Sequence, residues 1–189
     1  MSGLLPRRSL NVRQAETVGN LFDAASQLLE EVGHEQMTVR MVAARAGVSP
    51  ATAYTYFASK DHLFAELFWR TLSSAPTPKL AGRTSEARVR EVVTHLAGLI
   101  CGVPALAAAA NKSLLGNDPE VHRLRLAIGG LWLERFRSAI GERAAPELLE
   151  TLTCAFTGAL LQAGVGITTY EEVPTVLERI VGVIMGDRT

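Results

Sequence analysis

Cysteine is scarce in this sequence, and neither sign of charge dominates it. Cys101 and Cys154 are the only cysteines among 189 residues. Both have apolar neighbours and lack metal-ligand spacing, which predicts buried, reduced thiols in the cytoplasm rather than a disulfide framework. The 19 basic and 19 acidic side chains give a formal net charge of zero, so no overall field attracts a polyanion or a membrane. A site for a polyanion would have to be a local patch.

Segments that would carry the chain into a membrane are lacking as well. Residues 1–11 include Arg7 and Arg8 but no apolar core, so we expect no secretory signal. The one uncharged run long enough to span a bilayer, residues 151–170, contains five threonines, three glycines and a glutamine, which favours a buried bundle helix. With 48% hydrophobic and 20% charged residues, the composition is typical of a folded globular protein of one or two domains.

Apolar side chains recur at helical spacing in the first part of the chain. They are Val18, Leu21, Phe22, Ala25, Leu29 and Val32. Gly33 follows this stripe at a position where a left-handed residue commonly ends a helix, so we predict a first helix that stops there. Residues 1–12, which precede it, are predicted to be a flexible arm.

Three further helix starts follow at short intervals. Thr38, Ser49 and Ser59 each carry a side-chain oxygen that can cap a helix, and Pro50 suits the first position of the second of these helices. We therefore expect two short helices around a tight turn at residues 38–57. This helix-turn-helix would belong to a small helical domain that spans residues 13–73.

A larger helical domain is predicted at residues 84–189. The preceding loop, residues 73–83, contains two prolines and a glycine, which marks a domain boundary. Beyond it helical spacing recurs and strand-like alternation does not. Prolines that suit helix starts are Pro104, Pro119, Pro146 and Pro174. We expect an all-α fold of about nine helices, in which the helix after Asp118 is apolar on several sides and buried nearly all round.

Residues 38–63, TVRMVAARAGVSPATAYTYFASKDHL, strongly resemble the DNA-binding signature of the tetracycline-repressor (TetR) family. The resemblance covers roughly residues 13–70. It depends on the turn AGVS, on the spacing of Thr52, Tyr54 and Phe57, and on the pair SK that opens the next helix. It implies a cytoplasmic bacterial transcription regulator that binds a palindromic operator as a homodimer and responds to a small effector. No enzymatic activity, metal or cofactor is expected.

The third helix is expected to enter the major groove of DNA. Ala53 and Phe57, one turn apart, would anchor its inner face. Arg40 is the side chain here that can bind guanine O6 and N7 bidentately, the alternatives being a phosphate contact or a solvated arginine. The resemblance adds Tyr54 and Lys60 as contacts to bases or phosphates. The full prediction for DNA-binding residues is Thr38, Arg40, Ser49, Pro50, Ala51, Thr52, Tyr54, Thr55, Tyr56 and Lys60.

Two departures from the family pattern leave the third helix with few hydrogen-bond donors. Pro50 stands where a lysine is common, and Ala51 where a glycine is common. We therefore expect this helix to read mainly thymine methyl groups and DNA shape. Additional contacts would come from Arg7, Arg8 and Arg13 if the arm reaches phosphate or the minor groove; the alternative is a solvated tail.

A mostly apolar effector pocket with a few polar groups is predicted around Trp132 and Phe136, which lie one turn apart. The resemblance implies an effector site among helices five to eight. The predicted lining is His95, Leu99, Cys101, Leu106, Asn111, Trp132, Phe136, Phe156, Leu160 and Gln162. Ordinary core packing explains the same side chains equally well.

The last two predicted helices are the candidates for a dimer interface. Small and large apolar residues alternate on the first of them, and the second has an apolar face. The predicted interface is Leu152, Ala155, Phe156, Ala159, Ala163, Val176, Ile180, Val183 and Ile184. The resemblance implies a four-helix bundle with the symmetry mate; the alternative is burial of both helices within one chain.

These expectations combine into an effector-controlled repressor. A ligand that binds better to a splayed dimer would shift the population away from DNA, through the fourth helix, whose Phe68 and Trp69 lie next to the domain boundary. One alternative is an activator on the same scaffold. A more remote one is a helical enzyme with an apolar cavity, although the sequence lacks a nucleophile elbow, paired catalytic carboxylates and a metal-ligand set.

Overall fold

A computed structural model describes residues 12–142 and 144–186. These residues form nine α-helices and one short 3₁₀ turn and contain no strand. The prediction of an all-α fold is confirmed. The helices are α1 (Val12–Gln36), α2 (Val39–Arg45), α3 (Pro50–Tyr56), α4 (Lys60–Ser74), α5 (Ser85–Cys101), α6 (Pro104–Leu114), α7 (Pro119–Ile140), α8 (Pro146–Gly164) and α9 (Val173–Gly186), with the 3₁₀ turn Tyr170–Glu172 before α9. The predicted arm, with Arg7 and Arg8, lies outside the described residues except for Val12, which begins α1.

Capping side chains that the sequence predicts start four of these helices, and Thr84 caps α5 in the same way. The side-chain oxygens of Thr38, Ser49, Ser59 and Asp118 each accept a hydrogen bond from a backbone N–H in the first turn of α2, α3, α4 and α7 respectively, which satisfies one of the free donors of each helix end. The regular part of α1 is broken at Gly33, where the sequence predicts a helix end. Gly33, with φ of 71° and ψ of 164°, makes a kink, and a last turn follows it.

A continuous apolar core joins the two predicted domains through α4. This helix packs against α6 and α7, with Phe64, Phe68 and Leu72 buried. Helix α5 packs against α7 and α9, and α8 packs against the same two helices. The α4–α5 connection lies where the boundary was predicted, and the division into residues 13–73 and 84–189 stays a prediction.

Two predictions of burial are wrong. Leu126 on α7 is 65% exposed, because the buried side chains of that helix form a single stripe from Val121 to Ala139 and Leu126 lies off it. Cys154 on α8 is exposed, whereas Cys101 is half-buried, and both are free. On both helices one stripe faces the core, and a residue on the opposite side is exposed even where it is apolar.

No helix in the described parts of the chain is by itself long and apolar enough to cross a bilayer. Helices α5 and α6 reach the required length and apolarity only as a pair, and they are bent by 98° relative to each other. The uncharged run at residues 151–170 forms most of α8 and the turn that follows it, and α8 packs against α7 and α9.

Candidate DNA-binding surface and ligand cavity

Helix α3 has one anchored face and one exposed face. Ala53 is fully buried, and Phe57, the residue after the helix, is 2% exposed. The Phe57 ring packs against the Phe22 ring of α1 with 5.2 Å between centroids. The exposed positions are Pro50, Ala51, Tyr54 and Thr55, and the half-buried ones are Thr52 and Tyr56. One side of the helix is thus held by the domain core while the other is free to enter a groove.

Hydroxyl groups on α3 are partly used within the helix. Ser49 Oγ accepts a hydrogen bond from the Thr52 N–H at 3.1 Å and lies 2.9 Å from Thr52 Oγ1. Thr55 Oγ1 donates to the Ala51 carbonyl at 3.0 Å. The outward face therefore offers the Pro50 ring, the Ala51 methyl group and a tyrosine phenol, and few free donors.

The basic side chains near α3 differ in whether they already bind other groups of the protein. Within the described chain, the exposed Arg40 makes no side-chain hydrogen bond or ion pair. Arg45 pairs with Glu31 through two contacts of 2.6 and 2.8 Å, which lowers the pKa of Glu31. Lys60 Nζ donates to the carbonyl of His34 at 2.8 Å and to that of Glu35 at 3.4 Å. Arg40 is therefore better placed than Lys60 to bind a new acceptor.

A cavity of about 250 Å³ lies among α4, α5, α6, α7, α8 and the 3₁₀ turn. Its lining is mostly apolar, and it is formed by Phe68, Ile100, Ala107, Asn111, Leu114, Leu115, Arg125, Ile128, Gly129, Trp132, Thr157, Leu160, Leu161 and Tyr170. The Trp132 ring packs against Phe156, with 5.0 Å between centroids. A cavity of this kind, apolar with a few polar groups, suits a small organic ligand.

Three of the ten residues predicted for the pocket line this cavity: Asn111, Trp132 and Leu160. The other seven lie elsewhere. Leu106, Phe136 and Phe156 are buried in the core, His95, Leu99 and Cys101 are half-buried on α5, and Gln162 is exposed. These side chains point away from the cavity because a helix directs neighbouring residues to different faces. The Cys101 thiol donates instead to the Tyr170 carbonyl at 2.8 Å.

Several residues that line the cavity were not predicted from the sequence, although helical spacing could have indicated some of them. Arg125, Ile128, Gly129 and Trp132 follow the spacing of one helix face, so Trp132 could have led to the others. Tyr170 has no such signal, because it reaches the cavity from a 3₁₀ turn whose position depends on how α8 and α9 pack.

Two polar side chains of the cavity wall are held by hydrogen bonds to backbone carbonyls. Asn111 Nδ2 donates to the Leu160 carbonyl at 2.7 Å. Arg125 Nε donates to the Leu114 carbonyl at 2.7 Å, and Nη2 donates to the Gly116 carbonyl at 2.6 Å. A phenol keeps its proton at neutral pH, and burial raises the pKa of Tyr170 further, so its hydroxyl can donate a hydrogen bond.

Two side-chain hydrogen bonds connect the start of α4 to the α6–α7 region. Ser59 Oγ donates to Asp118 Oδ2 at 2.5 Å, and Ser113 Oγ donates to Asp61 Oδ1 at 2.9 Å. The bond from Ser59 is the main cause of a lowered pKa of Asp118. Beside them, burial lowers the pKa of His62, whose Nδ1 accepts from the Ala58 N–H at 3.2 Å. The N-terminus of α4, which directly follows α3, is thus tied to the larger helical body.

The inner face of α8 corrects part of the predicted dimer interface. Leu152, Phe156, Ala159 and Ala163 are buried within the chain itself, because they form the stripe that packs on α7 and α9. A side chain buried in its own chain has no surface to offer a partner. The remaining predicted interface residues, Ala155, Val176, Ile180, Val183 and Ile184, are half-buried or exposed.

Comparison with known proteins gives concordant matches. Residues 21–67 match the model of bacterial regulatory proteins of the tetR family. A helix-turn-helix-type transcriptional regulator of Mycobacterium tuberculosis is 41% identical over 179 residues, which are 94% of this chain and 84% of that protein. The transcriptional repressor KstR of Mycolicibacterium smegmatis is 31% identical over 109 residues, 56% of this chain and 53% of that protein.

Solved structures show the same fold. A TetR transcriptional regulator from Rhodococcus sp. RHA1 superposes with a TM-score of 0.73 at 20% identity, covering 94% of this chain and 100% of that one. FadR of Thermus thermophilus, a TetR-family repressor solved in complex with lauroyl-CoA, superposes with a TM-score of 0.65 at 19% identity over 91% and 96% of the two chains.

A short exposed helix on an anchored scaffold is the docking element of helix-turn-helix proteins that bind DNA, and the matches above identify the chain as a transcriptional regulator of this class. The described residues of this protein have that docking element, joined to a larger helical body with a cavity. It belongs to the TetR family of bacterial regulators.

Proposed function

We propose that this protein is a cytoplasmic homodimeric repressor that leaves a palindromic operator when a small, mostly apolar effector binds. The single observation that carries the proposal is the exposed outer face of α3, opposite the buried Ala53 and Phe57. A helix can read a groove only if its other face is fixed. The relative KstR is a transcriptional repressor, which supports repression rather than activation. The protein acts through binding, without a catalysed reaction.

Recognition is shared between α2 and α3 in this proposal. The outer face of α3 presents Pro50, Ala51 and Tyr54, groups that suit thymine methyls and the shape of the groove. Arg40 in α2 reads guanine, because its guanidinium is exposed and makes no bond to another described side chain. Lys60 contributes to phosphate binding only if it leaves the two carbonyls that it now contacts.

The effector site is the cavity beneath α4. Its apolar lining favours a hydrophobic or amphipathic molecule, and the lauroyl-CoA bound to FadR of Thermus thermophilus gives one example of such a ligand in this fold. Because Phe68 lies on α4 and in the cavity wall, a ligand there can bias the position of α4 and, through it, of α3. An effector that saturates the cavity without changing operator affinity would exclude this switch.

Replacing Arg40 by alanine is the direct test of DNA reading. In gel shifts with DNA from the protein's own promoter region and a panel of single-base variants, we expect the substitution to cost about 1–3 kcal/mol and to relax preference at one base position. Arg137→Ala, which removes the same charge from an exposed site on α7, should leave the affinity unchanged. A uniform loss across all sequences would make Arg40 a phosphate contact, and a wild type that binds no DNA would end the repressor proposal.

A substitution on the exposed face of α9 tests the proposed dimer. Val183 is 78% exposed, and we place it at the centre of a helix bundle with the second subunit. Val183→Glu should weaken self-association at least about tenfold, because a carboxylate loses its hydration in an apolar interface. Analytical ultracentrifugation measures the effect, with Val12→Glu at an exposed residue of α1 as the control. If both variants stay dimeric, the interface lies elsewhere.

A further inference from the structure

The cavity has a cation in its wall and no anion to match it. Among the described residues that line it, Arg125 is the only charged one. None of the ion pairs between described residues involves Arg125. A guanidinium beside an apolar cavity attracts a carboxylate or phosphate group more strongly than it would in water, because the surroundings screen its charge less.

The guanidinium still has donors to offer. Two of its five N–H groups bind the Leu114 and Gly116 carbonyls, and Nη1 lies 3.3 Å from Nδ1 of the exposed His122. The two terminal nitrogens, Nη1 and Nη2, therefore keep one N–H each for a ligand. An anionic group that binds more closely would compete with the two carbonyls for the same cation.

The Leu114 carbonyl belongs to the last residue of α6 and the Gly116 carbonyl to the turn between α6 and α7. This turn is connected to α4 by a hydrogen bond. Three residues after Leu115 the turn reaches Asp118, which caps α7 through Oδ1 and accepts the Ser59 hydroxyl through Oδ2. Ser59 is in turn the N-cap of α4. The N-caps of two helices thus share one hydrogen bond, three residues after the end of α3.

We propose that the effector is a small apolar anion whose charged group binds Arg125, and that Arg125 reports its presence to α3 through the α6–α7 turn and the hydrogen bond between Ser59 and Asp118. The proposal rests on the repressor function proposed above and specifies its ligand and its switch. The anion draws the guanidinium from the Leu114 and Gly116 carbonyls, the turn moves with Asp118, and the start of α4 is released. By linkage, operator DNA weakens the binding of the anion by the same factor.

The size of the cavity sets the size of the probe. One non-hydrogen atom with its hydrogens takes roughly the 30 Å³ that a water molecule occupies in the liquid, so 250 Å³ holds about eight such atoms. The eight-carbon chain of octanoate matches this volume, with the carboxylate oxygens at Arg125 in the cavity wall, and octanoate is ionised at neutral pH. Octan-1-ol is its uncharged match, and octanoyl-CoA carries the same chain with phosphates as the anionic groups.

Calorimetric titration tests the ligand class on the full-length protein. We expect an anionic probe to bind wild type about tenfold or more tightly than octan-1-ol, Arg125→Gln to remove that preference, and Arg125→Lys to restore part of it. If octanoyl-CoA binds in an Arg125-dependent way and octanoate does not, the phosphates supply the anionic group. Equal binding of the alcohol, no effect of Arg125→Gln, or no binding of either anion overturns the proposal.

Substitutions at two adjacent glycines of α7 test whether the probe occupies the cavity. A Cβ built on Gly129 or on Gly130 meets no atom within 4 Å, but only Gly129 lines the cavity. Gly129→Ala should weaken binding of the anionic probe about threefold or more, since its methyl group takes up cavity space. Gly130→Ala should not. Equal effects of the two substitutions would place the probe elsewhere.

The switch is tested by removing the shared hydrogen bond with residues that are still tolerated at each helix N-cap. Asp118→Ser retains a capping hydroxyl for α7 but is too short to reach Ser59, and Ser59→Gly keeps a residue that is acceptable at an N-cap. We expect the probe to reduce the operator affinity of wild type about tenfold and that of either variant less than about threefold, within the range of allosteric couplings. A full response in both variants overturns this route.

The experiments separate this inference from the repressor proposal. Operator binding without any probe tests the repressor proposal alone, and titration of Arg125 variants without DNA tests the ligand class alone. If wild type binds both operator and octanoate but the two do not affect each other, the switch fails and the DNA-binding function stands.

Discussion

Replacing Phe57 by alanine lowers the free energy of unfolding by about 3–5 kcal/mol and abolishes operator binding. We expect this effect because the Phe57 ring is buried against Phe22 and lies 6.0 Å from the His62 ring. Removing the ring leaves a cavity under the end of α3 and frees that end from α1 and α4. Denaturant unfolding followed by circular dichroism measures the stability, and gel shifts measure the binding.

Tyr54→Ala provides the matched control for Phe57→Ala. Tyr54 lies on the same helix, but its side chain is 47% exposed. Its removal should change stability by less than about 0.5 kcal/mol and weaken operator binding by about 1–3 kcal/mol. The opposite result, a stable Phe57→Ala variant that binds DNA or a strongly destabilised Tyr54→Ala variant, would reverse the assignment of buried and exposed faces on α3.

Gly164→Ala is expected to destabilise the protein by about 1–3 kcal/mol. A Cβ on Gly164 would lie 1.9 Å from Asn111 Nδ2 and 2.8 Å from its Cγ, so the amide must leave its place. That movement breaks the hydrogen bond from Asn111 to the Leu160 carbonyl and alters the cavity wall. Thermal unfolding and probe titration should both show the change.

Gly98→Ala separates this clash from the general effect of adding a methyl group to a helix. Gly98 lies in α5, is exposed, and would place its Cβ more than 4 Å from any neighbouring atom. We expect this variant to be more stable by about 0.5–1 kcal/mol, since alanine restricts the unfolded chain. Equal stability of the two variants would mean that Asn111 adapts at no cost.

Helix starts could be predicted because their causes are local. Thr38, Ser49, Ser59 and Asp118 cap helices with hydrogen bonds that reach only two or three residues along the chain, and such bonds depend little on the rest of the fold. The buried side of α3 could also be predicted, because Ala53 and Phe57 follow helical spacing. The all-α class and the family followed from these same short patterns.

The cavity could not be assembled from spacing alone. Trp132, Asn111 and Leu160 were predicted, but Phe68 and Tyr170 come from parts of the chain about a hundred residues apart, and only packing brings them together. Four residues predicted on α8 for the dimer interface are buried in the chain's own core for a related reason. Small and apolar residues occur on both sides of that helix, and composition does not reveal which side the chain's own core covers.

By itself the sequence determined the helical class, the positions of the capped helices, and the helix-turn-helix with its inner and outer faces, because these depend on interactions between residues a few positions apart. Only the tertiary structure decided that Lys60 holds two backbone carbonyls, that Arg125 lies in the wall of an apolar cavity, and that Ser59 and Asp118 share a hydrogen bond. Those arrangements arise where distant segments meet, and the energy of burying a common core sets which segments meet.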